Sequence, residues 1–393
     1  MARQLLYIII SLVLVLPTFG LAKKRTTRTP QAFEDKVLTE QWRPPEFTVQ
    51  NFLGYQNDTF NVPEGMQKEV DFWVRIYAQY TTRQGVFHFK NDLENILGEI
   101  DLSQIYARQD WSAVRKELEA EIVVKRQKRI LAKRLKVDPS RIRLQMGLKD
   151  RMLKAIELSG LYLPMMERVF KEENIPLELT RVVFVESSFN IRAGSKVGAS
   201  GLWQIMPLVA KKSKYIDKAH DLRQDPYYST KLAALILKQN YQILQSWPLA
   251  VTAYNHGVGS LGKIVKKYKS NDISYLIKNV ESKKSFGFAS RNFYATFLAA
   301  LYVESHANLY FPEPILKEAE IKFKDIKIKK AVKFEELLLA FDNDKEKLMQ
   351  YNPQLNSKFL KSKGKIPKGT VINFPRDSKS PLAEHVEDNT KDI

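Results

Sequence analysis

The chain contains no cysteine. That removes disulfides, thiolate metal sites, a cysteine nucleophile and a lipid anchor attached through an N-terminal cysteine. Histidine is scarce: His88, His220, His256, His306 and His385 stand apart, without the short spacings that hold a metal ion. No glycine-rich phosphate loop, nucleophile elbow or Ser/His/Asp set is present, and neither a metal nor an organic cofactor is expected. Acidic residues are in deficit, 44 against 63 Lys and Arg, which leaves a formal net charge of +19. Such a balance favours anionic partners: nucleic acid, anionic lipid or the acidic polymers of a cell envelope.

A strongly apolar run stands near the start. Arg3 is followed by the uncharged stretch 5–16 and by the small-residue end Gly20-Leu21-Ala22. This is the layout of a secretory signal over residues 1–22, cleaved after Ala22, and the other reading is an uncleaved membrane tether extended through Pro17 and Phe19. A bilayer core of about 30 Å needs about 20 apolar residues, more than this run supplies. An exported chain makes nucleic acid the wrong partner and the envelope the right one.

What is there is enough to fold. Of 393 residues, 44% are hydrophobic and 11% aromatic, so buried cores spread over two or three domains are expected. Residues 23–147 read as a basic leader and an irregular opening with Pro44, Pro45 and Pro63, then as mostly helix. Residues 110–135 form a long charged helix with Lys125, Arg126, Lys128, Arg129, Lys133 and Arg134, either a solvated face or a contact for envelope phosphates. Residues 148–306 read as compact helices joined by short connectors. Asp225 before Pro226 marks a helix start, and Leu232, Leu235, Ile236 and Tyr241 make its apolar stripe. Trp247-Pro248 starts another helix that stops near Gly257. Residues 321–375 read as strand (326–328), helix (334–341), helix (345–351) and strand (370–374), followed by a polar tail, 376–393.

One helix carries an anomaly. Pro176 and Glu178 mark its N-terminus, and Leu179, Val182 and Val183 lie on one face. The next position on that stripe is Glu186, a carboxylate where periodicity asks for a core residue. Burying an ionised carboxylate is costly, so such a group either finds a partner or keeps its proton at a raised pKa. A protonated glutamic acid is what glycoside cleavage needs as its general acid. On the helix alone, a structural Glu paired with a base is an equal reading. Farther on come Gly201-Leu202-Trp203-Gln204-Ile205-Met206-Pro207 and Ala253-Tyr254-Asn255-His256-Gly257. A sugar cleft needs an acid, amides and hydroxyls, and aromatic ring faces. Glu186, Gln204, Tyr254, Asn255 and Trp203 would supply that set.

Glu186-Ser187, the Gly201–Pro207 block and Ala253-Tyr254-Asn255 resemble, in order, the three signature blocks of soluble-type lytic transglycosylases. The flanking regions look most like the membrane-bound lytic murein transglycosylase D group. The resemblance is close over residues 161–259. It implies a mainly α, goose-type lysozyme-like fold with a helical N-terminal region and a small α+β C-terminal module. It also implies cleavage of the β-1,4 bond between N-acetylmuramic acid and N-acetylglucosamine in peptidoglycan glycan strands, without water, leaving a 1,6-anhydromuramoyl end. By position, Glu186 is the acid and then the base, Ser187 and Gln204 bind sugar or orient the muramoyl acetamido group, and Tyr254 and Asn255 shape the cleft. The family's later Glu-Thr-Arg-Asn-Tyr block stands here as Ala289-Ser290-Arg291-Asn292-Phe293, with Tyr294 next in line for that tyrosine's place. Residues 321–375 resemble a lysin motif through Tyr351-Asn352-Pro353 and residues 366–370, although its usual Gly-Asp-Thr opening is Ala331-Val332-Lys333. A Gram-negative periplasm is the implied location.

A conventional glycosidase uses two carboxylates about 5 to 9.5 Å apart. Between Glu186 and Tyr254 the only acids are Asp217, Asp221 and Asp225, and Asp225 is expected to cap a helix. Two other readings follow. A lysozyme-type hydrolase would need a positioned water or a second acid. A non-catalytic peptidoglycan-binding protein would have no use for a buried one.

Overall fold

The computed structural model describes residues 58–90, 92–213, 215–216, 220–281, 286–311, 313–355, 365–376 and 391–392. The expected export signal, the basic leader, Pro44, Pro45, Asp217, His385 and most of the polar tail lie outside the described residues. In chain order the elements are α1 (Gln67–Ala78), β1 (Gln84–Phe89), β2 (Asp92–Asp101), α2 (Ser103–Ala107), α3 (Ala113–Arg134), β3 (Ile142–Met146), α4 (Lys149–Glu172), α5 (Val182–Glu186), α6 (Pro207–Lys212) and α7 (Pro226–Leu244). There follow α8 (Trp247–His256), α9 (Val258–Tyr268), α10 (Ile273–Asn279), α11 (Phe288–Ser305), α12 (Ala307–Tyr310), β4 (Phe323–Lys327), β5 (Val332–Lys333), α13 (Phe334–Leu339), α14 (Lys345–Tyr351), β6 (Lys365–Ile366), β7 (Val371–Pro375) and β8 (Lys391–Asp392). The protein is mainly helical, as the sequence implied. Two compact units divide it, each built from two stretches of chain: 1–152 with 273–310, and 153–272 with 311–393.

In the first unit, α1 buries Val70, Trp73, Val74 and Tyr77 and packs against α11, whose side chains are buried along most of its length. Trp73 Nε1 donates to Asn292 Oδ1 at 3.0 Å across this contact. A three-stranded antiparallel sheet in the order β2-β1-β3 stands beside them. The helices were legible and this sheet was not. β1 is its central strand, with Gly85, Val86, Phe87 and His88 all buried, so it lacks the alternation that betrays a half-buried strand. α3 begins at Ser112, whose hydroxyl accepts from Arg115 N, and lays Ala120, Leu131 and Ala132 on Phe87, Ile100 and Ile142.

The second unit holds most of α4, then α5 to α9 and the C-terminal elements. Asp225 caps α7 as expected, accepting from Tyr227 N and Tyr228 N at 2.9 Å each. The α7 core face differs from the expected stripe: Leu235 is exposed, and Leu232, Ala233, Ala234 and Leu237 are buried. Small alanines let α8 approach α7 closely. α8 runs from Trp247 to His256 and stops at Gly257, whose φ of +89° suits glycine.

The C-terminal segment has the two helices between strands read from its sequence, with the short strands β5, β6 and β8 in addition. β4 and β7 pair antiparallel with Ile326 opposite Ile372, and β5 pairs with β6. The side chains of Ile326, Leu337, Phe341, Leu348, Ile372 and Phe374 fill its core. A buried polar contact joins it to α7: Asn373 Nδ2 donates to Asp225 Oδ2 at 2.7 Å, and Asn352 Oδ1 accepts from Asn373 N at 2.7 Å. Tyr228 on α7 also donates to Asp325 Oδ2 at 2.7 Å. Both Asp225 and Asn373 are fully buried, so removing the amide leaves a carboxylate oxygen unpaired. Asn373→Ala is expected to lower the unfolding free energy by about 2–3 kcal/mol. Urea titration of the two proteins would measure it, and an unchanged midpoint would show the contact to be dispensable.

Candidate functional site

Glu186 ends α5, a short helix that continues from a 3-10 turn over Leu177–Arg181. The turn and helix bury Leu179, Val182, Val183, Phe184 and Val185, and Arg181 is held by Glu167 and by Thr180 Oγ1. Those contacts use up the nearby guanidinium. Among the described residues, the Glu186 carboxyl has neither a hydrogen-bond partner nor a paired cation. The residue as a whole is half-buried, and its carboxyl is enclosed by protein. Burial, uncompensated by charge, pushes its pKa up to about 8. The reading of Glu186 as a paired structural acid therefore fails, and a carboxyl that keeps its proton at neutral pH remains.

The chain turns sharply after this carboxyl. Ser188 and Phe189 take left-handed backbone at φ 51° and 58°, and Gln204 does the same at 46°. Non-glycine residues hold such conformations at a cost of about 1 kcal/mol or more each, and only where surrounding contacts impose them. Here Phe189 packs edge-on against Phe184, with ring centres 4.8 Å apart. The 194–205 loop folds on itself through the Gly194–Ser200 and Ser200–Ile205 bridges. Arg223 then ties it at two points, donating from Nη1 to Gly198 O at 2.6 Å and to Ile205 O at 3.0 Å, while Asp221 holds its other nitrogens.

The predicted residues fall into different roles. Tyr254, from α8, donates its hydroxyl to Trp203 O at 2.8 Å. Burial and the nearby Glu186 charge push that phenol well above its ordinary pKa, so it serves as a neutral donor. Glu186 and Tyr254 are thus electrostatic neighbours, and the Gly201–Pro207 block is attached to Tyr254 through Trp203. Gln204 spends its amide nitrogen on Ala193 O at 3.1 Å and Gly201 O at 2.9 Å, which leaves the amide oxygen disengaged among the described residues. Ser187 is half-buried beside the acid, its hydroxyl 3.4 Å from Val183 O. Asn255 is buried on α8 next to Tyr254.

Trp203 is a correction. It was expected to offer a ring face to sugar, and it is wholly enclosed. Its indole stacks on Phe170 at 5.5 Å and donates from Nε1 to Thr230 Oγ1 at 2.9 Å. Its contribution is to hold the backbone carbonyl that Tyr254 uses. Tyr294 lies in the other compact unit on α11, fully buried against Phe297, its hydroxyl without a hydrogen-bond partner among the described residues. Buried in this way, it presents no surface to a ligand.

Sequence reasoning overlooked Arg223, Asp221 and Thr230, which position the loop and Trp203. Asp221 and Arg223 stand two apart in sequence, but the carbonyls that Arg223 reaches are 25 and 18 residues away from it, so no local pattern marks them. No second carboxylate joins Glu186 in the described structure. Asp221 is paired with Arg223, and Asp225 is committed to the α7 cap and Asn373. No group of His, Asp and Glu suited to a metal ion occurs among the described residues.

The family model described as the transglycosylase SLT domain matches residues 166–277, which include Glu186, Gln204, Tyr254 and Asn255. A putative tributyltin chloride resistance protein of Alteromonas sp. (strain M-1) is 33% identical over 119 residues, covering 29% of this chain and 58% of that protein. The membrane-bound lytic murein transglycosylase D of Escherichia coli (strain K12) is 34% identical over 102 residues, covering 25% of this chain and 23% of its own length. The chain therefore spans less than two thirds of either relative. Among solved structures, the 70 kDa soluble lytic transglycosylase of E. coli aligns at 21% identity with TM-score 0.29, over 40% of this chain and 26% of that one. The match to the transglycosylase SLT domain thus falls on residues 166–277 of this chain.

Proposed function

We propose that this chain is an exported peptidoglycan lytic transglycosylase. It cuts the β-1,4 bond between N-acetylmuramic acid and N-acetylglucosamine without water, with Glu186 as its single acid and base. The observation that carries the reading is the Glu186 carboxyl itself: uncompensated, protonated up to about pH 8, and set in an SLT domain. The protonated carboxyl gives its proton to the glycosidic oxygen as that bond breaks, and the acetamido oxygen of the muramoyl residue stabilises the developing charge. The carboxylate then takes the proton of the muramoyl 6-hydroxyl, whose oxygen closes onto C1. The proton count balances, one given and one regained, so one titratable group suffices. The lack of a free second carboxylate near Glu186 among the described residues supports this over a two-acid hydrolysis.

Around that step, Gln204 would offer its disengaged amide oxygen to an N–H of the acetamido group, and Ser187 and Asn255 would supply further polar contacts. The strand-helix-helix-strand segment would act as a lysin-motif-like glycan holder, and residues 1–22 would direct the chain to the envelope.

The test is mass spectrometry of the soluble products released from purified sacculi by the wild-type protein and by Glu186→Gln. The expected result is anhydromuramoyl products, lighter by one water than hydrolytic ones, from the wild type alone. Reducing-end products would replace the proposal with a hydrolase. Products from the variant would remove Glu186 from the chemistry.

A further inference from the structure

The long helix α3 leaves one side uncovered. Its buried side is taken up by the sheet through Ala120, Leu131 and Ala132. On the other side Val114, Leu118 and Ile122 recur every fourth residue, 63%, 54% and 57% exposed. Residues four apart stack along one flank of a helix, so Val114, Leu118 and Ile122 make one short apolar ridge, and Arg126 takes the next place on that row. Arg115, Lys125, Arg126, Arg129 and Lys133 are exposed on the same helix. Its acids are fewer and half-buried: Glu117, Glu119 and Glu121, the last paired with Lys125 at 2.5 Å. Just ahead of the helix, Trp111 is half-buried with the guanidinium of Arg115 4.3 Å and that of Arg108 5.0 Å from its ring centre, and Arg108 also pairs with Asp110. With 22 residues, the helix is about 33 Å long.

We propose that α3 lies flat on an anionic phospholipid bilayer. The ridge of Val114, Leu118 and Ile122 enters the headgroup boundary, and the surrounding Arg and Lys side chains meet lipid phosphates. The combination selects the occupant. An anionic glycan or teichoic polymer would satisfy the cations and leave Leu118 and Ile122 in water. A second copy would bring two sets of Arg and Lys face to face, which like charge opposes. A bilayer of acidic lipid takes both, with long basic side chains extending past the apolar ridge to the phosphates. Trp111, with one apolar ring and two flanking guanidiniums, is the residue type that settles at such a boundary. None of the helices among the described residues is long and apolar enough to cross a membrane, so α3 would lie along the surface rather than span it. The inference concerns the first unit and stands whether or not the transglycosylase reading holds.

The test is co-sedimentation of the full chain with vesicles of phosphatidylglycerol and phosphatidylcholine in equal parts, and with phosphatidylcholine alone. Each cation at an acidic surface contributes about fivefold in partitioning. Wild type should therefore bind the acidic vesicles at least tenfold better. Arg126→Glu/Arg129→Glu and Leu118→Ser/Ile122→Ser should each lose at least about tenfold. All four positions are exposed, so the fold is kept, and far-UV circular dichroism checks that it is. Brominated lipid should also quench a fluorescence component that Trp111→Phe removes. Equal binding to both vesicles, or wild-type binding by both double variants, would overturn the proposal. So would a dimer, seen by sedimentation velocity, that Leu118→Ser/Ile122→Ser abolishes.

Discussion

Glu186→Gln is expected to lose at least about 10³-fold in the rate of glycan cleavage while gaining stability at neutral pH. The rate loss follows because the amide can neither give nor take the proton, and each of the two transfers is worth about 10² to 10⁴. The stability gain comes from the same burial. The folded carboxyl holds its proton up to about pH 8, whereas the unfolded chain ionises near 4.5. Between those values the folded state binds the extra proton, so its stability falls as pH rises across the window. At pH 7 the cost is about 3 kcal/mol, at roughly 1.4 kcal/mol per pH unit. Glutamine carries no such cost. The variant should unfold at a higher temperature than the wild type at pH 7 to 8, and the difference should vanish below about pH 4.5. The wild-type rate should fall above about pH 8 as the acid form is lost. Melting curves at several pH values test the pair of claims together. A variant that melts at or below the wild type at pH 7 would mean that Glu186 is compensated by a partner.

Gain of stability with loss of rate is the mark of a residue kept for chemistry rather than packing. It also explains why this residue was legible. Glu186 violates the apolar stripe of its own helix, and local violations are what a sequence displays. The cap Asp225-Pro226, the Gly257 stop and the two C-terminal helices were readable for the same reason, since their signals lie within a few residues. What was not readable is non-local. β1 is flanked by β2 and β3 and covered on its faces by helices, and nothing in Gln84–Phe89 announces that. Asn373 finds Asp225 across 148 residues. Trp203 looked like a sugar platform because aromatic rings serve both cores and clefts. Only the stack on Phe170 and the bond to Thr230 separate the two uses.

The loop below the acid makes the second large prediction. Gly201 has φ +78°, and a Cβ built there would lie 1.9 Å from Arg223 O and 2.9 Å from Arg223 C. The obstacle is backbone, so no side-chain rotation relieves it. The left-handed conformation adds about 1–2 kcal/mol for any residue with a Cβ. The Arg223 backbone has little freedom to retreat, because its guanidinium is tied to Gly198 O, Ile205 O and Asp221. Either the 194–205 loop lifts or those bonds break. Gly201→Ala is therefore expected to destabilise the protein by about 3–5 kcal/mol. A lifted loop also moves Trp203 O, the acceptor of the Tyr254 hydroxyl, and Gln204, whose amide bonds to Gly201 O. A misplacement of about 1 Å can cost 10²-fold in rate, so cleavage should fall even at temperatures where the variant stays folded. Arg223→Lys separates strain from anchoring: it keeps the charge for Asp221 but lacks the planar fork that reaches both carbonyls. If loop anchoring positions the site, Arg223→Lys should lower the cleavage rate with a smaller loss of stability than Gly201→Ala. Gly201→Ala with wild-type melting and wild-type rate would show that the loop yields freely and does not position the acid's neighbours.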